Sequence, residues 1–219
     1  MEAEELVNIN SNRTLFFVIA LVLALVVASP TIAMFMPPLS NSEKLSELWL
    51  LDSNHATEDF PFNASAGDMY SVFVGVANRM GSSEDYKVYV KFRNINQSAP
   101  DSKNGVASSL SPLMEYPFSV EADEIWESPV NFGFDAITED FGNTTAVNDN
   151  VLSVNEVIVD GVTFPLNVST TWDSERKGYF FQLFFELWRY DDEYADFRFD
   201  SLSVGLWLNV TNSSLVEVL

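Results

Sequence analysis

A chain of 219 residues that sets 32 Asp and Glu against 11 Lys and Arg carries a net charge of −21. That balance excludes nucleic acid as a partner, because the phosphate backbone demands a basic footprint. With no cysteine and the single histidine His55, disulfides, Cys-His pairs and multi-His metal sites are excluded too, and stability has to rest on the core.

Residues 1–14 are an acidic tail, MEAEELVNINSNRT, whose one basic residue is Arg13. Leu15 to Met36, LFFVIALVLALVVASPTIAMFM, follows without an ionisable side chain. At about 1.5 Å per helical residue such a stretch reaches roughly the thickness of a bilayer's hydrocarbon core. It is apolar on every face, so the reading is one transmembrane helix in contact with membrane lipid over 15–36. A cleavable signal peptide would fit Leu15 to Ala28 in length, but the acidic start and Pro30 beside the small-residue cut oppose cleavage. A buried core helix would usually stop sooner. Arg13 on one flank places the N-terminus in the cytoplasm and the rest of the chain outside the cell membrane, a single-pass topology. No Asp, Glu, Lys, Arg or His interrupts the span, which argues against transport or proton relay.

Residues 37–44, starting with Pro37 and Pro38, read as a short stalk. From 45 to 219 the pattern is that of one β-domain. LSELWLL (45–51) is a first strand, and a loop dense in turn formers runs to Asp68. MYSVFVGVA (69–77) and YKVYVKFR (86–93) alternate with period two and read as an antiparallel hairpin. Its buried face would carry Val72, Val74, Val76, Val88 and Val90, and its wet face Lys87, Lys91 and Arg93. Arg79 adds a fourth cation nearby; together they could make a local anion or headgroup contact, although a solvated strand face accounts for them more simply.

Residues 94–111 form a long loop by composition. Short strands follow at 116–121 and 130–134 with Trp126 between them, and the polar insertion 135–150 carries a helical turn at most. VLSVNEVIVDGVTFPLNVSTTW is a second hairpin around Asp160-Gly161, a pair suited to a type I′ turn. GYFFQLFFELWRYD (178–191), apolar on both faces, and LSVGLWLNV (202–210) close the chain as central strands. The fold class expected is therefore all-β, an antiparallel β-sandwich of about eight strands, Ig-like in the broad sense, preceded by one transmembrane helix.

Seven N-x-[ST] sequons occur, at Asn12, Asn63, Asn96, Asn143, Asn167, Asn209 and Asn212. Six lie after the span, where an outward-facing domain would offer Asn63, Asn96, Asn143, Asn167, Asn209 and Asn212 for N-glycosylation. An Asn- and Ser-rich surface without glycan is the plainer alternative.

The run SELWLLDSNHATEDFPFNASAGDMYSVFVGVANRMGSSEDYKVYVKF resembles the signature of an archaeal membrane-protein family catalogued as domain-of-unknown-function 1616. Phe60-Pro61 stands where that family shows Tyr-Pro. The turn Asn63 to Gly67, Asn78 and Tyr86 fall at the expected positions, and the DG turn, Trp172, Phe180 to Tyr190 and LWLNV are similar at the far end. The resemblance covers 46–93 well and 151–210 loosely. It departs at the front, since many members have several membrane helices. It implies an archaeal, membrane-tethered, outward-facing β-domain, and it brings no catalytic residues with it.

Chemistry is sparsely signalled. A Ser-His-Asp triad would have to use His55 in a polar loop. Glu121, Asp123 and Glu124, and Asp191, Asp192, Glu193 and Asp196, are carboxylate clusters suited to glycosidase work or to weak Ca²⁺ binding, though any acidic chain offers such pairs and no EF-hand loop is present. The expectation is a non-enzymatic accessory or interaction subunit of an archaeal membrane complex or cell envelope, with a protein partner, no cofactor and no catalytic residue. The alternative is a carbohydrate-binding or glycan-processing surface protein that uses Trp49, Trp126, Trp172 or Trp207 as sugar platforms, although indoles are more often core.

Overall fold

A computed structural model describes residues 44–141 and 150–211. The tail 1–14, the span 15–36, nearly all of the stalk 37–44, Asn12, Asn143 and Asn212 lie outside the described residues. Among those described, no helix is long and apolar enough to cross a membrane. They form eleven strands: β1 (Ser46–Leu51), β2 (Asn63–Ser65), β3 (Met69–Asn78), β4 (Glu84–Asn94), β5 (Met114–Val120), β6 (Ile125–Phe134), β7 (Ile137–Asp140), β8 (Val151–Val159), β9 (Val162–Thr171), β10 (Phe180–Asp191) and β11 (Asp196–Thr211).

Two sheets result. One has the order β1-β3-β6-β8-β7 with β9 also on β8, and the other β2-β11-β10-β4-β5. Val72, Val74, Val76, Val130, Phe132 and Phe134 from the first meet Tyr86, Val88, Val90, Phe92, Leu183 and Phe185 from the second in one buried cluster. Phe92 lies 5.6 Å from Phe134 and Phe118 stacks on Trp126 at 3.8 Å, both contacts passing from sheet to sheet. Each such buried side chain contributes about 1.5–3 kcal/mol by leaving water. The all-β sandwich expected from the sequence is the fold found, with one exception to its antiparallel pairing: β2 runs parallel to β11.

The alternation in 69–77 and 86–93 is real, but these strands do not form a hairpin. β3 pairs β1 and β6, while β4 pairs β10 and β5. Period two specifies which side chains share a face and says nothing about which strand lies alongside. Here the two valine faces oppose each other as layers. The corner between them is held by Asn78, whose amide donates to the carbonyls of Ser82 and Val120 at 2.7 and 2.8 Å. The short strands β2 and β7 fall inside segments expected to be loop, and Trp126 lies within β6 rather than ahead of it. At Asp160-Gly161 both residues have positive φ, 46° and 78°, as a type I′ turn requires.

Nor is the far face of β4 wet. Lys91 is 3% exposed and Arg93 8%, because the loop 95–111 folds over them. Lys91 Nζ donates to Glu186 Oε2 at 2.8 Å and to the Ser108 carbonyl at 2.9 Å. Glu186, fully buried, also accepts from the Ser108 backbone N–H at 2.7 Å and from Trp188 Nε1 at 3.2 Å. Arg93 donates to Gln182 and to the Gln97 carbonyl, with its guanidinium 5.1 Å from the Trp207 ring.

Four tyrosine hydroxyls tie the sheets together. Tyr70 on β3 accepts from the Ser65 N–H of β2, Tyr86 on β4 meets Ser46 Oγ of β1, Tyr116 on β5 donates to Asp160, and Tyr179 beside β10 donates to Glu139 of β7. Burial, then the neighbouring carboxylate, pushes the Tyr116 and Tyr179 hydroxyls well above the ordinary phenol value. Proline marks strands that lack a neighbour: Pro117 sits in β5 and Pro165 in β9, both at sheet margins. Pro129 sits in β6 outside Phe132–Phe134, the part of that strand that pairs with β8.

Lys91→Met, which leaves the Glu186 carboxylate buried without its cation, is expected to lower unfolding stability by about 3–5 kcal/mol in urea titration. Glu186→Leu is expected to cost at least as much, since it takes the counter-ion from buried Lys91 and the acceptor from both the Ser108 N–H and the Trp188 indole. The tyrosines give an alkaline limb. A hydroxyl whose folded pKa is raised holds its stabilisation below the unfolded value of 10.0 and loses it as pH climbs towards the folded value. Melting curves of a Tyr116→Phe/Tyr179→Phe double variant should therefore show a lower midpoint at neutral pH and a shallower alkaline fall than the parent protein.

Candidate functional site

Past Leu187 the β10–β11 ladder changes register. Leu187 opposes Leu202 while Trp188 opposes Phe199, so Asp200 and Ser201 bulge out of β11. Ser201 takes a left-handed φ of 59° there, and Asp200 accepts from Arg189 Nε at 3.3 Å. A bulge re-aims the strand beyond it. The register then places Lys87, Trp188 and Phe199 in one row across β4, β10 and β11, with Tyr190 and Phe197 in the row beyond Arg189 and Arg198.

These rings touch. Tyr89 is 5.2 Å from Trp188, Trp188 is 6.1 Å from Phe199, and Tyr190 meets Phe197 edge to face at 5.3 Å. Lys87 Nζ lies 4.6 Å from the Phe197 ring and the Arg198 guanidinium 4.2 Å from Tyr194. With Gly105, Val106 and Ala107 of the covering loop as one wall, Trp188, Tyr194, Asp196, Phe197, Arg198 and Phe199 enclose an open cleft of about 570 Å³. Tyr194 and Val106 stand 58% and 55% exposed at its rim. Aromatic faces beside charged groups suit recognition of a partner or a saccharide.

Of the residues singled out in the sequence, Asp196 lines the cleft and Lys87 stands in its row, while the four tryptophans lie elsewhere. The Trp49 ring lies against Gly75, where a Cβ would fall 2.2 Å from it. Trp126 stacks on Phe118, Trp172 meets Tyr179 edge to face at 5.1 Å, and Trp207 sits under Arg93. None of the four lines the cleft; the indole that does is Trp188. Phe197 and Phe199, alternating with charged residues in DFRFD, were the signal of a strand with one aromatic face, hidden beneath the acidic cluster Asp191 to Asp196. Two of those acids bond local backbone: Asp191 Oδ1 accepts from the Glu193 N–H at 2.9 Å and Asp196 Oδ1 from the Phe197 N–H at 2.8 Å. Among the described residues no group of three or more Asp, Glu or His side chains is placed to hold a metal, so neither this cluster nor Glu121, Asp123 and Glu124 converges on a common point.

His55 is more constrained than a free loop residue. It stacks on Phe73 at 3.9 Å and its Nδ1 lies 3.1 Å from Glu127 Oε1. Asp52 builds the turn beneath it, accepting from the Asn54 and Ala56 N–H groups at 2.8 Å each. Of the sequons, Asn96 is exposed in the turn after β4 and Asn167 is exposed on the marginal strand β9. Asn63 and Asn209 lie side by side on β2 and β11.

Fold and cleft together define an all-β, two-layered domain with an open aromatic groove at one end. Residues 39–141 match the family model described as a domain of unknown function (DUF1616). The resemblance read at 46–93 falls inside that match, and the looser one at 151–210, which includes the β10–β11 hairpin, falls outside it. No curated protein matches the chain.

The Ala56 N–H and other donors hold the Asp52 carboxyl below its ordinary value of 3.8. Its contribution is complete above that value and disappears as pH falls through the lower, folded one. An Asp52→Asn variant should therefore show a flatter acid limb than the parent when melting is followed from neutral pH down past pH 3.8.

Proposed function

We propose that this protein is a non-enzymatic, membrane-anchored β-domain displayed outside the cell, an accessory or interaction subunit of a membrane complex or of the cell envelope. Its contact surface on this reading is the groove between the β10–β11 hairpin and the loop 95–111. The observation that carries the reading is the row Lys87, Trp188, Phe199, extended by Phe197 and Tyr194: contiguous, half-buried to exposed rings that line one open cleft beside cationic side chains. A neutral apolar span over 15–36 and sequons on the body support anchorage and outward display.

A binding surface of this type concentrates its energy in central Trp, Tyr and Arg side chains. Trp188 donates to Glu186, so its loss would disturb the buried ion pair, and the informative changes are at Tyr194 and Phe197. A Tyr194→Ser/Phe197→Ser double variant should fold as the parent does by circular dichroism. Extracted from native membranes in mild detergent, it should lose proteins that accompany the parent chain. Identical company for both sinks the groove as the contact surface.

The same row favours a second reading, a saccharide platform, since sugar rings stack their C–H faces on aromatic rings. On a glycan array the parent would then retain particular saccharides and the double variant would not.

A further inference from the structure

Asn63-Ala64-Ser65 and Asn209-Val210-Thr211 are two sequons paired in parallel, Asn to Asn, Ala to Val and Ser to Thr. Ala64 and Val210 are fully buried between the sheets, which turns both carboxamides and both hydroxyls to the opposite face. Ser65 Oγ and Thr211 Oγ1 are 3.5 Å apart there.

The orientation of the two amides follows from a backbone donor. The Tyr179 N–H points at Asn209 at 3.0 Å, and a donor requires the oxygen there, so this atom is Oδ1. Asn209 Nδ2 is thereby directed at Asn63, 3.1 Å away, and the Asn63 atom that receives it is again the oxygen. Asn63 Nδ2 is left as the outward nitrogen of an exposed residue. Gly178 completes the arrangement: a Cβ at that position would lie 2.2 Å from Asn209 Oδ1.

An N-glycan is joined to the amide nitrogen. We infer that Asn63 and Asn209 form a carboxamide clasp in which Asn63 alone accepts an N-glycan and Asn209, despite its sequon, stays unmodified in every folded molecule. A sugar on Asn209 would replace one of the two hydrogens on the nitrogen that reaches Asn63 and would have to fit beside Gly178, whose missing Cβ is the room the Asn209 side chain already uses. The glycan on Asn63 rests on the outward-facing topology proposed above; the clasp itself does not.

The test takes the full chain from the membranes of a eukaryotic secretory host, separates folded protein from aggregate and reads occupancy by peptide mass spectrometry. Carbohydrate on Asn63 and none on Asn209 is expected in the folded fraction, with any Asn209-linked sugar confined to aggregate. Folded molecules glycosylated at Asn209, or carrying sugar on Asn96 while Asn63 is bare, overturn the inference. A chain bare at every sequon defeats the outward topology instead, and the clasp is then decided by melting the unmodified protein. Asn209→Ala, which orphans the Tyr179 N–H, should lower the midpoint by several degrees and Asn63→Ala by less than half as much; equal shifts overturn the clasp.

Discussion

The outer side of the five-stranded sheet depends on one carboxylate. Glu186 lies in the middle of β10 with no access to water, and an ion there is tolerable only if everything around it answers its charge. Lys91 from β4 supplies the cation, the Ser108 N–H and the Trp188 indole supply further donors, and the Ser108 carbonyl takes a second Lys91 proton. A loop reaching from 95 to 111 is thereby pinned across β4 and β10. Its Gly105–Ala107 segment forms one wall of the aromatic cleft and its Ser108 completes the ion pair. The groove and the buried pair are two ends of one construction, joined through Trp188.

Such a pair adds little net stability relative to an apolar core, yet it specifies where the loop must lie. In a chain with a threefold excess of acidic over basic residues, placing Lys91 and Arg93 under a loop is a costly use of scarce cations. The tyrosine hydroxyls play the matching part between the sheets. Each bridges layers that would otherwise be held by non-directional contacts alone, and so fixes their relative register.

Much of this was legible from residue order. The valine alternation at 69–77 and 86–93, the Asp160-Gly161 turn and the two-faced apolarity of 178–191 all describe strands that exist, and an all-β sandwich follows from them. What alternation could not convey was partnership. β3 and β4 look like a hairpin because they are adjacent and similar, but whether neighbouring amphipathic strands pair or oppose depends on contacts far along the chain, such as that of Lys91 with Glu186, 95 residues away. The same limit hid the cleft. Trp188, Phe197 and Phe199 become one surface only through a two-residue bulge at Asp200 and Ser201. Four other tryptophans, more conspicuous as letters, are spent on packing.

The prolines at the sheet margins bear on how such domains behave in company. A protein displayed at high density meets its own copies constantly, and unpaired backbone along an outermost strand is an invitation to zip one molecule to the next. Pro117 and Pro165 each withdraw a donor from an outermost strand. Crowded copies can therefore jostle without knitting into fibres along those two rims.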